Sequence, residues 1–291
     1  MIRFPFAKIN LGLNVMGDRP DGFHEVESIL VPIPMFDILE AVVAEDLRPN
    51  EVVFTRSGLE VPGPLEQDLC WRAAMALLET REFPGVRLHL HKVIPMGAGL
   101  GGGSSDGAHA LLLLNDLFEL GLPASELAVH AAGLGSDCPF FLQHGPQLAT
   151  GRGEVLEPME LQLADHWITL VNPGIHVSTA EVYAHTPGTG VSWRNTWGRI
   201  GEQLSELARK DRVPRSDGTE APLVNTMERY VCRKWPEVEE IKKRLREVGA
   251  FHTAMSGSGS TVFGLFTEEP PVLEWPRTYI HRSLRLGGEL F

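Results

Sequence analysis

The run Pro95-Met96-Gly97-Ala98-Gly99-Leu100-Gly101-Gly102-Gly103-Ser104-Ser105 places five glycines within seven residues and limits the fold more tightly than any other stretch of the chain. Upstream, Val86, Leu88, Leu90 and Ile94 follow a strand pattern that Pro95 stops. Downstream, residues 105–120 carry apolar side chains at helical spacing. A strand-to-helix turn needs one or two glycines, and each further one costs conformational entropy. The run therefore predicts a connection whose backbone N–H groups turn toward a phosphate seated on the helix N-terminus.

Two familiar phosphate motifs compete for these residues. Gly97, Gly99 and Gly102 satisfy the dinucleotide-binding spacing, which calls for a strand ending in an acidic residue after the helix. Here the acidic residues that follow lie in the helix itself. No Gly-Lys-Ser or Gly-Lys-Thr is present, so the loop lacks the lysine of a Walker A motif. Charge on a bound phosphate must be offset by residues elsewhere.

Around this loop the pattern is that of an α+β protein. Ala7, Ile9, Leu11, Leu13 and Val15 alternate with Lys8, Asn10, Gly12 and Asn14, the period of a strand with one buried face. Residues 17–23 read as a turn and 25–33 as a second strand, with further strands near 38–43, 51–55 and 86–94. Helices are expected at 68–78, with Asp68 as N-cap, and at 125–134. The chain becomes turn-rich at 145–153, which places a lobe boundary there: residues 1–150 as an N-terminal ATP-binding lobe and 151–291 as a second lobe. Residues 199–222 read as a flexible insertion.

Composition narrows the function classes. With 26 Lys plus Arg against 38 Asp plus Glu, the net charge of −12 opposes a polyanion-binding surface, so nucleic acid is not expected as a partner. The cysteines Cys70, Cys138 and Cys232 are widely separated and odd in number, which points to free thiols and a cytoplasmic location. No apolar stretch approaches the length of a membrane span, so no membrane partner is expected.

Phosphoryl transfer needs cations around the moving group and a residue to orient or deprotonate the acceptor hydroxyl. Lys8, on the polar face of the first strand, and Asp137, in Gly135-Ser136-Asp137-Cys138-Pro139, are the candidates. Read alone, a strand lysine is more often solvated and an aspartate before Cys-Pro more often a turn former. Phe23 and His24 pair an aromatic ring with an imidazole, suited to stacking on a base and reading its edge. Read alone, they are a core plug and a strand-end cap. Ser256-Gly257-Ser258-Gly259-Ser260 is a second small-residue loop, able to approach a phosphate or the first loop closely, or simply a helix-to-strand connection.

Taken together, the segments resemble the GHMP kinase superfamily, whose mark is a Pro-x-Gly-x-Gly-Leu-Gly-Ser-Ser-like loop, matched by residues 95–105. Pro5-Phe6-Ala7-Lys8-Ile9-Asn10-Leu11, Arg19-Pro20-Asp21-Gly22-Phe23-His24-Glu25, the Gly135 to Phe141 block and Met255-Ser256-Gly257-Ser258-Gly259 are similar to the branch of that superfamily that acts on a cytidylyl substrate. The resemblance implies ATP-dependent phosphorylation of the 2-hydroxyl of a cytidylyl-linked methylerythritol in the non-mevalonate isoprenoid pathway. It makes Lys8 and Asp137 the catalytic pair and reverses the bland reading of Phe23 and His24. It adds Asn10, Thr179 and Tyr183 as substrate contacts. The implied fold is two-lobed, with an N-terminal lobe like the second domain of ribosomal protein S5 and a ferredoxin-like C-terminal lobe. Mg²⁺ should accompany ATP, with Ser104 or Ser105 as conceivable hydroxyl ligands. The competing readings are a GHMP kinase for another small molecule and a nucleotide-binding protein without turnover.

Overall fold

The structure, a computed structural model, describes residues 1–197, 212–214 and 220–287. Short β1 (Ile2–Arg3) precedes two long strands, β2 (Phe6–Asp18) and β3 (His24–Phe36), joined by a turn in which Arg19 N donates to Phe23 O at 2.8 Å. β4 (Ile38–Val43), β5 (Val52–Gly58) and β6 (Val86–Lys92) follow, with α1 (Leu69–Leu78) between the last two. Asp68 caps α1, accepting from Cys70 N as expected from its position. After the glycine-rich run come α2 (Gly102–Leu117), α3 (Ala124–Leu134), β7 (Gln147–Thr150), β8 (Val155–Pro158) and β9 (Trp167–Asn172).

The residues group into two compact units interleaved along the chain: Met1–Ala7, Met35–Met96 and Gly101–Gln143 in the first, Lys8–Pro34, Gly97–Leu100 and His144–Phe291 in the second. The first unit contains the sheet β1-β4-β6-β5, in which β4 runs antiparallel and β5 parallel to β6, together with α1, α2 and α3. A 3₁₀ turn, Cys138–Leu142, is anchored in this unit by Phe140 and Phe141, whose rings lie 6.2 and 5.3 Å from that of Phe6.

The second unit contains two four-stranded sheets, one of them β2-β3-β7-β8. The other is built from β9 and three later strands, β12 (His252–Met255), β13 (Val262–Phe266) and β14 (Ile280–Arg285), in the order β12-β13-β9-β14 with every pairing antiparallel. Numbered along the chain, that order is 4-1-3-2 read from its β14 edge, the ferredoxin-like arrangement. Helices α4 (Thr179–Ala184), α5 (Arg194–Trp197), α6 (Glu228–Lys234) and α7 (Pro236–Glu247) lie between β9 and β12 in sequence, as does a two-stranded ladder of β10 (Arg212–Pro214) and β11 (Glu220–Pro222). The core of this unit gathers Val15, Val26, Val171, Val182, Val231, Ile241, Leu245, Met255 and Val262, all essentially inaccessible.

Three sequence expectations change. β2 is buried on both faces, so Lys8, Asn10 and Asn14 are not solvated. α2 starts at Gly102 rather than near 105, because Gly101 takes a left-handed conformation (φ 69°) and turns the chain into the helix early. Within the stretch 145–153, expected to be turns, residues 147–150 form strand β7. Much of the expected insertion at 199–222 lies outside the described residues. The chain just before it is firmly placed: Glu27 accepts from Trp193 N, and the Trp197 ring packs against Gly12.

All three cysteines are free thiols. Burial pushes Cys138 up to about 11 and Cys232 to about 12, so neither is a thiolate near neutral pH. Among the described residues no helix is long and apolar enough to cross a membrane.

Candidate active site

The glycine-rich run is a left-handed zigzag, with Gly97, Gly99 and Gly101 at φ 61°, 79° and 69°. Gly99 shows why a side chain is excluded: a β-carbon there would lie 2.0 Å from Ser256 O. The second small-residue loop therefore does approach the first, and Ser256 Oγ donates to Gly99 O at 2.7 Å. Asn225, which sequence reasoning passed over, braces the second loop from behind, donating from Nδ2 to Met255 O (2.8 Å) and Gly257 O (2.6 Å).

Lys8 meets the same loop. Its backbone N donates to Leu100 O (2.9 Å), and its ammonium donates to Gly99 O (3.2 Å) and to Asn10 Oδ1 (2.6 Å), with the residue only 4 % exposed. Asn10 Nδ2 donates to Ser28 Oγ at 2.7 Å, and Asn10 N donates to Ser256 Oγ at 3.1 Å. Strand β2 and the glycine loop thus meet at one ammonium group, and β3 and the Ser256 loop are linked to it through Asn10 and Gly99.

The helix end of the run rests on a different charge cluster. Lys92 donates to Asp37 and, at 2.6 Å, to Asp106 Oδ2, and all three residues are buried. Asp37 Oδ1 also accepts from the backbone N of Val93 (2.5 Å) and Ile94 (2.8 Å), fixing the chain as it leaves β6. Asp106 stands in the second turn of α2, so the cluster ties the strand before the run to the helix after it. Gly102 permits this packing, since a β-carbon there would lie 2.9 Å from Lys92 Nζ and 2.8 Å from Ile94 Cγ2. Burial drives the Lys92 pKa down, but the two carboxylates more than reverse it and leave it raised. Burial holds Asp106 well above the usual carboxylate range, only partly offset by Lys92.

Asp137 follows the end of α3, in the turn where Cys138 N donates to Gly135 O, and its own carbonyl accepts from Phe140 N at 3.2 Å. Its side chain is partly exposed. Ser105 is fully buried, with its hydroxyl 3.4 Å from His109 Nδ1. Ser104 is partly exposed and bonds the Cys138 thiol.

The aromatic residues collect in the second unit. His24 and Tyr183 stack with centroids 4.5 Å apart and planes 3° from parallel. His24 Nδ1 lies 2.8 Å from Asp18 Oδ1, an ion-pair distance without hydrogen-bond alignment. Phe23 is 49 % exposed, and the Arg152 guanidinium stands 4.7 Å over its ring. Thr179 opens α4 and shares a 2.9 Å hydrogen bond with Ser258. The structure thus gathers Phe23, His24, Thr179 and Tyr183 in one unit with Lys8 and Asn10, while Asp137 belongs to the other unit.

Arg152, Ser28, Asp37 and Lys92 were missed in the sequence. Lys92 left a signal, since it shares strand parity with buried Val86, Leu88 and Leu90. The dinucleotide reading falls, because β6 and β7, the strands flanking α2, lie in different sheets.

The models of the GHMP kinases N terminal domain and the GHMP kinases C terminal region match residues 68–145 and 194–274. The chain belongs to the GHMP kinase family, and its reaction class is phosphoryl transfer. Its curated relatives include the 4-diphosphocytidyl-2-C-methyl-D-erythritol kinase of Parabacteroides distasonis, 45% identical over 271 residues that cover 93% of this chain and 93% of that one. The protein of the same name from Cytophaga hutchinsonii is 44% identical over 271 residues, 93% of this chain and 94% of that one. Among solved structures, a 4-(cytidine 5'-diphospho)-2C-methyl-D-erythritol kinase matches with TM-score 0.72 at 34% identity, covering 91% of this chain and 90% of that chain. Homoserine kinase from Cytophaga hutchinsonii shares the fold alone, with TM-score 0.66 at 18% identity over 91% of this chain and 84% of that chain.

Proposed function

We propose that this kinase transfers the γ-phosphoryl group of ATP to the 2-hydroxyl of 4-diphosphocytidyl-2-C-methyl-D-erythritol, in the non-mevalonate route to isoprenoid precursors. The observation that carries this reading is the Lys8 ammonium, held against Gly99 O of the glycine-rich loop and nearly closed to solvent. A fixed cation beside a phosphate-binding loop supplies what the missing Walker lysine would have supplied.

In this reading residues 95–105 bind ATP through backbone N–H groups and the N-terminus of α2. Asp137 accepts the acceptor's hydroxyl proton as the oxygen bonds to the γ-phosphorus and the bond to ADP breaks. Lys8 offsets the charge that develops. Phe23 offers an exposed ring face for the cytosine, and His24, Tyr183 and Thr179 lie in the same unit to read and enclose it. Arg152 already lies over that face, so the base either displaces it or takes a place beside it. Residues 1–150 form the ATP-binding lobe in this reading and 151–291 the second.

Mg²⁺ fits as an ion carried mainly by ATP phosphates, which needs few protein ligands. A protein-built cage does not fit, since no three carboxylate, His or Cys groups among the described residues are placed to hold a metal. Buried Ser105 makes a poor ligand, which leaves Ser104 as the hydroxyl candidate. The free thiols agree with a cytoplasmic location.

The test is ADP release with the cytidylyl substrate. Wild type should turn over and Asp137→Asn should be impaired, whereas ATP binding without turnover by the wild type would sink the proposal. His24→Ala should raise the KM for the cytidylyl substrate by about tenfold or more and leave that for ATP within about twofold. Equal changes in both would favour a GHMP kinase for a different acceptor.

A further inference from the structure

We infer that Ser28 is a positioning residue for phosphoryl transfer: its hydroxyl fixes the orientation of the Asn10 amide, and Asn10 thereby fixes the Lys8 ammonium. The inference rests on the reading of Lys8 as the cation that activates the reaction.

The argument follows protons. Ser28 Oγ donates to Gly12 O at 2.8 Å, so its single proton is committed. Toward Asn10 it can only accept, and the amide atom 2.7 Å away must be Nδ2. At the other end of the same amide stands the Lys8 ammonium, which can only donate, and the atom 2.6 Å from it must be Oδ1. Both ends of the side chain therefore demand one orientation. Flipping the amide would aim an NH₂ group at an ammonium and leave Ser28 Oγ facing an oxygen with no proton between them.

Asn10 is 4 % exposed, and its backbone N is also fixed, donating to Ser256 Oγ. Ser256 Oγ lies 3.4 Å from Asn10 Oδ1 and donates to Gly99 O, the other oxygen that receives Lys8. The amide expected from resemblance to touch substrate is thus also the part that aims the ammonium. Ser28, in the middle of β3 and 3 % exposed, sets that aim from behind.

Three variants at position 28 test this. Ser28→Ala removes the acceptor that holds Nδ2 and leaves the amide held from the Lys8 side alone, and kcat should fall on the order of 10- to 100-fold, with KM for ATP and for the cytidylyl substrate within about threefold. Ser28→Thr keeps the hydroxyl and should restore kcat. Ser28→Cys, nearly the same size but a weak acceptor, should lower kcat even if the alanine variant proves too unstable to assay, with thermal unfolding run beside each. Wild-type kcat in a folded Ala or Cys variant overturns the inference, as does a KM rise at constant kcat. Lys8→Ala in the same assay separates the two readings. Turnover at the wild-type rate would defeat the role given to Lys8 itself. Loss of turnover there with unchanged kcat in the Ser28 variants would defeat only the role given to Ser28.

Discussion

Among the described residues two lysines lie buried on strands, Lys8 and Lys92, and the acceptors that can be named around them differ. Lys92, on β6 of the first unit, donates to two carboxylates, those of Asp37 and Asp106. Lys8, on β2 of the second unit, has an amide oxygen and a backbone carbonyl among its acceptors. Carboxylates cancel an ammonium charge, and an ion pair so enclosed is a brace. Amide and carbonyl oxygens fix an ammonium in space without themselves cancelling its charge. The same side chain thus serves as a structural tie in one place and, in the proposed function, as the activating cation in the other.

The contrast can be broken most forcefully at Lys92. Lys92→Met leaves two carboxylates buried without their cation, and urea unfolding should show a loss of about 3–5 kcal/mol. A loss below about 1 kcal/mol would mean the pocket is wetter or softer than its burial indicates. Lys8→Met should divide the other way. Stability falls by about 1–3 kcal/mol, since buried Asn10 Oδ1 loses its 2.6 Å donor while Gly99 O keeps Ser256, and kcat falls on the order of 10²- to 10³-fold. A stability loss as large as that of Lys92→Met, or near-normal turnover, would erase the distinction.

The smallest effect is the sharpest test of the brace. Lys92 is one cation between two carboxylates, and Asp106 Oδ1 finds no hydrogen-bond partner among the described residues. A carboxyl group whose folded pKa is raised adds stability while protonated, fully so below its unfolded value of 3.8. That contribution is lost as pH rises through the folded value. Relative to wild type, Asp106→Asn should therefore gain stability as pH climbs from 3.8 toward neutrality, matching or exceeding wild type at pH 7 by up to about 1–2 kcal/mol. Paired urea titrations at acid and neutral pH check the sign. A stability difference that shifts in favour of wild type as pH rises refutes it.

Much of this was legible in the sequence, for local reasons. Alternation placed β2 and β6, Asp68 announced α1, and the excess of glycines in residues 97–103 marked a loop that no simple turn explains. Residues 256–260 were legible as a loop able to approach the first, although only the structure shows Gly99 against Ser256 O. What escaped was whatever depends on two distant segments meeting. Ser28 looks like any strand serine until Asn10 lies across from it. Asp37 falls between two strands with no periodicity to flag it, and Arg152 sits in a glycine-flanked turn that reads as punctuation. The early start of α2 was missed because helix propensity counts Gly102 and Gly103 against a helix, whereas tight packing over Ile94 and Lys92 favours Gly102 there.

The interleaving of the two units carries a consequence for how the chain reaches its fold. In the second unit Ser28 of β3 pairs with Ala149 of β7, and Leu13 of β2 bridges to Asn225, so its sheet closes only across more than a hundred residues of chain. Such closures cost loop entropy before any contact rewards them, and they slow folding relative to a protein of equal size built from neighbouring hairpins. A fragment beginning at residue 144 would lack both long strands, so cutting this enzyme where its sequence changes character would yield pieces that must reassociate to fold.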